Sequence, residues 1–208
     1  MKKEQDYLND LTEIRSMMER SSKFLSLSGW AGVLAGIYAI AGAWVARSIL
    51  HFDPDSILYY YQESSAPFEG LSGLVFLGLG VLMLSLGTAV ILSVGNARKK
   101  GEKAWNTTSK RMMSDVAIIL ITGGMLSFIF IFKSMLGLLL PTTLIFYGLA
   151  IYMAGNYTFK DVKVLGLIEI TLGLLSILFI QYSLALWTVG FGALHIVYGS
   201  FIYAKYER

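Results

Sequence analysis

The sequence predicts an all-α integral membrane protein of six transmembrane helices, built as three repeated helical hairpins with both termini in the cytoplasm. Composition is the first observation behind this reading. Of 208 residues, 55% are hydrophobic and 15% charged, with a mean hydropathy of +0.62, which is far from the balance of soluble domains. The second is charge placement. Apart from Lys133 and Glu169, charged residues fall in five short stretches, and the apolar runs between them suit a hydrocarbon core of about 30 Å, crossed by about 20 helical residues. The third is the bias of basic residues to one side. Fifteen of the 17 Lys and Arg lie in the N-terminal segment, the loops after the second and fourth spans, and the tail, leaving only Arg47 and Lys133 opposite. Short loops rich in Lys and Arg stay cytoplasmic.

The spans fall near residues 24–46, 71–94, 116–132, 135–154, 163–180 and 184–204. They form a transmembrane domain over 24–204, with an outer loop at 47–70, a basic cytoplasmic loop at 95–115 and a cytoplasmic tail at 205–208. A transmembrane barrel is excluded, because 116–132 and 164–180 are nearly unbroken apolar runs rather than alternating strands of about 10 residues. The first span follows more than twenty polar and mixed-charge residues, so it reads as a retained helix rather than a cleaved signal. Trp30, Trp44, Trp105, Trp187 and Tyr59–Tyr61 lie near predicted boundaries, where amphipathic rings prefer the headgroup zone. The lipid bilayer is therefore the first expected partner, and the inner membrane the expected location. No nucleic-acid partner is expected, since the basic residues adjoin spans and report topology.

Ahead of the first span, residues 1–23 carry Tyr7, Leu11, Ile14 and Met18 at helical spacing, which predicts an amphipathic helix. It lies on the inner leaflet or on the protein's own loops, or else it joins a second copy or a protein partner through a short helical seam. In the first span Ala31, Ala35, Ala39 and Ala43 share a face beside Gly32 and Gly36. Small residues at this spacing admit a second helix at close range, within the bundle or in a dimer. Pro54 is placed to open a short interfacial helix in the outer loop. His51, Asp53 and Asp55 alternate there, but three such residues without further ligands make no metal signature.

A repeat organises the last two hairpins. Gly124–Ile131 (GMLSFIFI) matches Gly173–Ile180 (GLLSILFI), with Ala117 and Gly166 seven residues upstream, and Ile145–Tyr152 (IFYGLAIY) matches Ile196–Tyr203 (IVYGSFIY). The first hairpin follows more loosely through Gly36, Ala39 and Ser85-Leu-Gly87-Thr-Ala-Val-Ile91. Consecutive hairpins share one orientation, so the repeat is parallel about an axis along the membrane normal. This pattern resembles three-hairpin bacterial membrane proteins of the acid-resistance HdeD type over roughly residues 24–204. The opening from Glu13 to Trp30 is similar to that of uncharacterised bacterial multi-pass membrane proteins. Neither resemblance implies a catalytic residue or a ligand; the first implies a stress-linked role.

Two ionisable side chains other than tyrosine lie well inside spans, Glu169 in the fifth and His195 in the sixth. Such groups face the bundle interior and carry a partner or a role, because lipid leaves them unpaired. They form the candidate intramembrane polar pair, either as a structural hydrogen bond or as a proton-responsive site. The repeat places Leu120 and Leu144 at the equivalent positions, so the pair belongs to one hairpin alone. Pro141 is a candidate kink in the fourth span. No catalytic residue, cofactor-binding motif or metal-ligand spacing is recognised, and the absence of cysteine removes thiol chemistry. The chain thus reads as non-enzymatic, acting through interactions in a stress-linked or regulatory role. The alternatives are a small proton-linked solute transporter using Glu169 and His195, and an accessory subunit of a larger membrane complex.

The charge bias generates a topology test in this cysteine-free chain. Single cysteines introduced at Asn106 and Ser64 should react from opposite sides of the membrane, with Asn106 on the cytoplasmic side. Labelling of both from the outside contradicts the assignment.

Overall fold

The computed structural model describes residues 28–54, 70–99, 101, 105–133, 135–159 and 161–207. These form six helical segments and, among the described residues, no strand. They are α1 (Gly29–Ser48), α2 (Leu71–Lys99), α3 (Thr107–Phe132), α4 (Leu139–Ala154), α5 (Asp161–Leu178) and α6 (Ile180–Glu207). A 3₁₀ turn, Leu136–Leu138, leads into α4. Helix α6 changes winding along its length, with π-helical stretches at Thr188–Leu194 and Tyr203–Glu207. Among the described residues five helices, α1, α2, α3, α4 together with its leading 3₁₀ turn, and α6, are long and apolar enough to cross a membrane. Helix α5 carries Asp161, Lys163 and Glu169 within its 18 residues. The amphipathic helix expected over 1–23 and the interfacial helix expected after Pro54 lie outside the described residues, as does Asp55.

Helices and apolar runs do not end together. Helix α2 continues through Arg98 to Lys99, and α3 begins at Thr107, well before the apolar run at 116. The stretch 95–115, expected as a loop, is therefore largely helix. Hydropathy marks where lipid ends, whereas a helix persists into water for as long as its backbone bonds and caps are satisfied. A capping box does this for α3: Asn106 Oδ1 accepts from the Ser109 N–H at 2.8 Å, and Ser109 Oγ accepts from the Asn106 N–H at 2.9 Å.

Pairwise packing runs α2 on α1, α1 on α6, α6 on α5 and α4, and α4 on α3. The most extensive contact joins α4 to α5, across a hairpin boundary. Gly148 and Gly166 face each other there. A methyl group at Gly148 would lie 2.7 Å from the Ile170 nitrogen and 2.8 Å from the Gly166 oxygen, so the backbones approach as only glycine permits. The same device joins α1 to α6 through Gly32 and Gly36 against Gly199 and Gly192. Ala31, Ala39 and Ala43 are buried along α1, and Ala35 is half-buried.

The basic end of the bundle is tied by polar contacts. The Gly29 N–H and Ser28 Oγ donate to the Glu207 carboxylate, so α6 caps α1. Lys205 Nζ and the Tyr206 hydroxyl donate to Asp161 Oδ2 at 2.8 and 3.0 Å, and Tyr206 stacks on Phe159. The Tyr157 hydroxyl donates to Asp115, which holds that hydroxyl above its ordinary pKa. At the opposite end Phe52 is buried with Ala46 and Leu136, against Leu71 and Leu74 of α2 and Ile131 of α3. His51 turns the chain toward this contact with a left-handed φ of 51°, and Asp53 pairs with Arg47 at 3.2 Å.

Glycine contact makes a differential prediction. Gly148→Ala should cost about 1–3 kcal/mol through overpacking. Gly78→Ala, with nothing within 4 Å of the added carbon, should be neutral or gain up to about 1 kcal/mol from helix propensity. Thermal unfolding in detergent reads both, and equal effects contradict close packing at Gly148.

Candidate functional site

Glu169 lies midway along α5, on the face that Gly166 and Gly173 press against α4. That packing leaves the carboxylate fully buried, at 0% exposure. On α6, Trp187, Phe191 and His195 recur every four residues and so share a face. On α4, Thr143 and Tyr147 do the same. The two faces interlock: the Trp187 indole donates to Thr143 Oγ1 at 3.1 Å, Phe191 lies 4.7 Å from the Tyr147 ring and 4.9 Å from Trp187, and the Tyr147 ring lies 5.3 Å from His195. Every aromatic pair falls within the range of favourable offset contact.

His195 sits at the end of this ladder with both ring nitrogens engaged. Its Nε2 is 2.6 Å from the Tyr147 hydroxyl and its Nδ1 is 2.9 Å from the Gly190 carbonyl oxygen. The carbonyl only accepts, so Nδ1 carries a proton and donates to it. In the neutral ring Nε2 then accepts from Tyr147. Glu169 Oε1 lies 3.5 Å from the same Nδ1, within ion-pairing range, yet neither Glu169 oxygen has a hydrogen-bond partner. Both statements hold together because the Nδ1 proton is directed at Gly190, leaving the carboxylate a charge neighbour rather than a donor.

Two arrangements of one proton fit this geometry. With neutral His195 the proton resides on the Glu169 carboxyl. With protonated His195, Nε2–H donates to the Tyr147 oxygen and the positive ring faces the Glu169 carboxylate. A buried carboxylate facing a neutral ring is excluded on cost, because an ion without a partner in an apolar interior is penalised by several kcal/mol.

Gly190 completes the site. A methyl group there would lie 2.5 Å from Glu169 Oε2 and 2.8 Å from Leu144 Cδ2, so the carboxylate occupies space that any other residue would fill. Gly190 belongs to the π-helical stretch that immediately precedes His195, a winding that often marks functional positions. Further buried hydroxyls without a hydrogen-bond partner are Ser176 on α5, Ser183 at the start of α6, and Tyr198 one turn beyond His195.

The candidate residues thus separate into two sets. Glu169 and His195 are adjacent, with Tyr147 and Gly190 added from the structure. Ala31, Gly32, Ala35, Gly36, Ala39 and Ala43 belong to α1, whose small-residue face packs within the bundle. Gly32 approaches the His195 backbone oxygen rather than its ring. Pro141 is the third residue of α4, buried, directly after the 3₁₀ turn, where a missing N–H costs little. Tyr147 was signalled only as half of the repeated Tyr-Gly pair it shares with Tyr198, and Gly190 is one of 21 glycines with nothing in sequence to set it apart.

The Tyr147–His195 bond is open to a double-mutant cycle. Tyr147→Phe and His195→Leu should each lower stability, and together by about 1 kcal/mol less than their sum. Strict additivity contradicts a bond between them.

No family model, curated protein or solved structure matches this chain, so the functional reading rests on these residues and their geometry.

Proposed function

We propose that this chain is a multi-pass protein of the inner membrane, both termini cytoplasmic, that responds to protons through Glu169 and His195 and acts without enzymatic chemistry in a stress-linked role. The observation that carries this reading is the buried carboxylate 3.5 Å from a buried imidazole. Membrane insertion is supported by five helices of sufficient length and apolarity and by the described basic residues Arg98, Lys99, Lys110, Arg111, Lys163 and Lys205, which all lie near helix ends. Ionisable groups at such depth are expected to serve a function.

The mechanism follows from the number of helices involved. Glu169 comes from α5, Tyr147 from α4, and His195 and Gly190 from α6. A proton gained by the pair leaves a charged His195 ring beside a neutral Glu169 carboxyl. Starting from the neutral ring, Tyr147 turns from donor to acceptor; starting from the ion pair, the carboxylate becomes a neutral acid and the charge pairing between α5 and α6 is lost. Proton occupancy is thereby converted into a change of packing between α4, α5 and α6, the bistable element that a pH switch needs. The resemblance to acid-resistance membrane proteins points the same way.

A second reading, proton-linked solute transport, is favoured by one further observation. Ser176 and Ser183 continue the line of buried, unpartnered oxygens from Glu169 toward the end opposite the basic residues, and Tyr198 extends it the other way. Groups of this kind mark ion pathways through membrane bundles.

Trp187 reports on the site directly, since it stacks in the ladder that ends at His195. In a chain with Trp30, Trp44 and Trp105 replaced by Phe and reconstituted into vesicles, Trp187 emission should change with pH. Glu169→Gln and His195→Leu should each abolish that change while leaving a folded bundle. Superimposable titrations for all three proteins would refute proton responsiveness.

A further inference from the structure

Two contacts recur between hairpins. Gly199 of α6 meets Gly29 of α1, and Gly148 of α4 meets Gly166 of α5; a methyl group on Gly199 or Gly148 would lie 2.5 or 2.8 Å from the facing carbonyl oxygen. One turn away, Ile196 fills the space beside Gly36 and Ile145 that beside Gly173, their Cγ1 atoms 2.7 and 2.6 Å from an added methyl. The repeat supplies a third set. Leu84 and Gly87 of α2 correspond to Ile145 and Gly148, and Ala117 and Gly124 of α3 keep the spacing of Gly166 and Gly173. A third seam would therefore set Gly87 against Ala117 and Leu84 against Gly124.

That seam is open. Gly87 and Gly124 have nothing within 4 Å of an added methyl, Leu84 is 56% exposed, and α2 and α3 pack no face against one another. At the opposite end the two helices are bridged through Phe52, so the groove between them leads toward the basic end.

Charge at that end decides what the groove accepts. The α6–α1 seam closes there on a carboxylate, Glu207, set against the N-terminus of α1. The α2–α3 seam instead carries cations on both of its helices at this end. Gly80, four residues before Leu84 and likewise open, shares its face; Arg98 follows Gly80 by eighteen residues and Lys110 precedes Ala117 by seven, so at 3.6 residues per turn each lies on the open face of its helix. Both are exposed, as is Lys99. Arg111 lies beside Tyr157, which occupies Asp115. A second helix face from this chain would bring these cations together, whereas an anion between them relieves the repulsion.

We propose that the open α2–α3 seam binds an anionic phospholipid, its acyl chain in the groove beside Gly87 and Gly124 and its phosphate between Arg98 and Lys110. The inference rests on the membrane reading above. Basic residues flanking an apolar cleft on the cytoplasmic side are the pattern by which membrane helices hold such headgroups.

The test uses the full chain in neutral detergent, with melting temperature followed against phosphatidylglycerol, phosphatidylcholine and glycerol phosphate. Phosphatidylglycerol should give a saturable rise that neither of the others reproduces. Arg98→Gln with Lys110→Gln should weaken the apparent affinity about tenfold or more. Gly87→Leu with Gly124→Leu, both at open positions, should do the same while keeping both charges. Equal responses to the two lipids overturn the proposal, as does an undiminished response in either double variant. Glycerol phosphate matching the lipid also overturns it, by showing an anion site with no use for the groove. So does a disulfide between cysteines placed at Leu84 and Gly124, within or between chains, that forms equally with and without phosphatidylglycerol. Alkaline-resistant insertion into pure phosphatidylcholine vesicles reads the membrane assignment separately, so the two failures are distinguishable.

Discussion

Backbone-to-backbone approach at glycine is the constraint from which the rest of the structure follows. Lipid offers helices no hydrophobic reason to associate, so contact surface and polar pairing must hold them. Gly148 against Gly166 and Gly199 against Gly29 bring α4 to α5 and α6 to α1 at distances that a single methyl would prevent. Once these seams close, Glu169 is fully buried, and Gly190 leaves a space that its carboxylate fills. The polar site is thus a consequence of packing: the same glycines that tighten the bundle enclose an acid within it.

An enclosed acid is poorly explained as a device for stability. Interhelical hydrogen bonds in membrane proteins contribute on average about 0.6 kcal/mol, while an ionised carboxylate left without a partner costs several. The leucines that occupy the equivalent positions in the preceding hairpin, Leu120 and Leu144, show that the repeat tolerates an apolar side chain at each place. Glu169 and His195 therefore carry a cost that packing does not require. In the proposed reading, a proton gained by the pair changes the bonds that Tyr147 or Glu169 makes and gives that cost a purpose.

Much of the fold was legible in the sequence because long apolar helices leave a strong pattern in it. Charge-free runs and basic flanks located the helices, and two isolated polar residues located the site. What was not legible depended on where one helix meets another. The nine residues from Thr107 to Asp115 are polar apart from Met112 and Met113 and read as loop, yet a cap at Asn106 and Ser109 keeps them helical. Tyr147 joins the site only because α4 and α6 align their four-residue rows. Gly190 is distinguished solely by the carboxylate facing it. The repeat implied three alike seams, but local charge acts against the third, where Arg98 and Lys110 share one end.

The central claim is that Glu169 holds an exchangeable proton inside the bundle, and difference infrared spectroscopy of the reconstituted protein tests it most directly. The account predicts a protonated-carboxyl band whose intensity changes with pH, which vanishes in Glu169→Gln and is altered in His195→Leu, where the charged partner is gone. Identical spectra for wild type and Glu169→Gln across the whole pH range would contradict it.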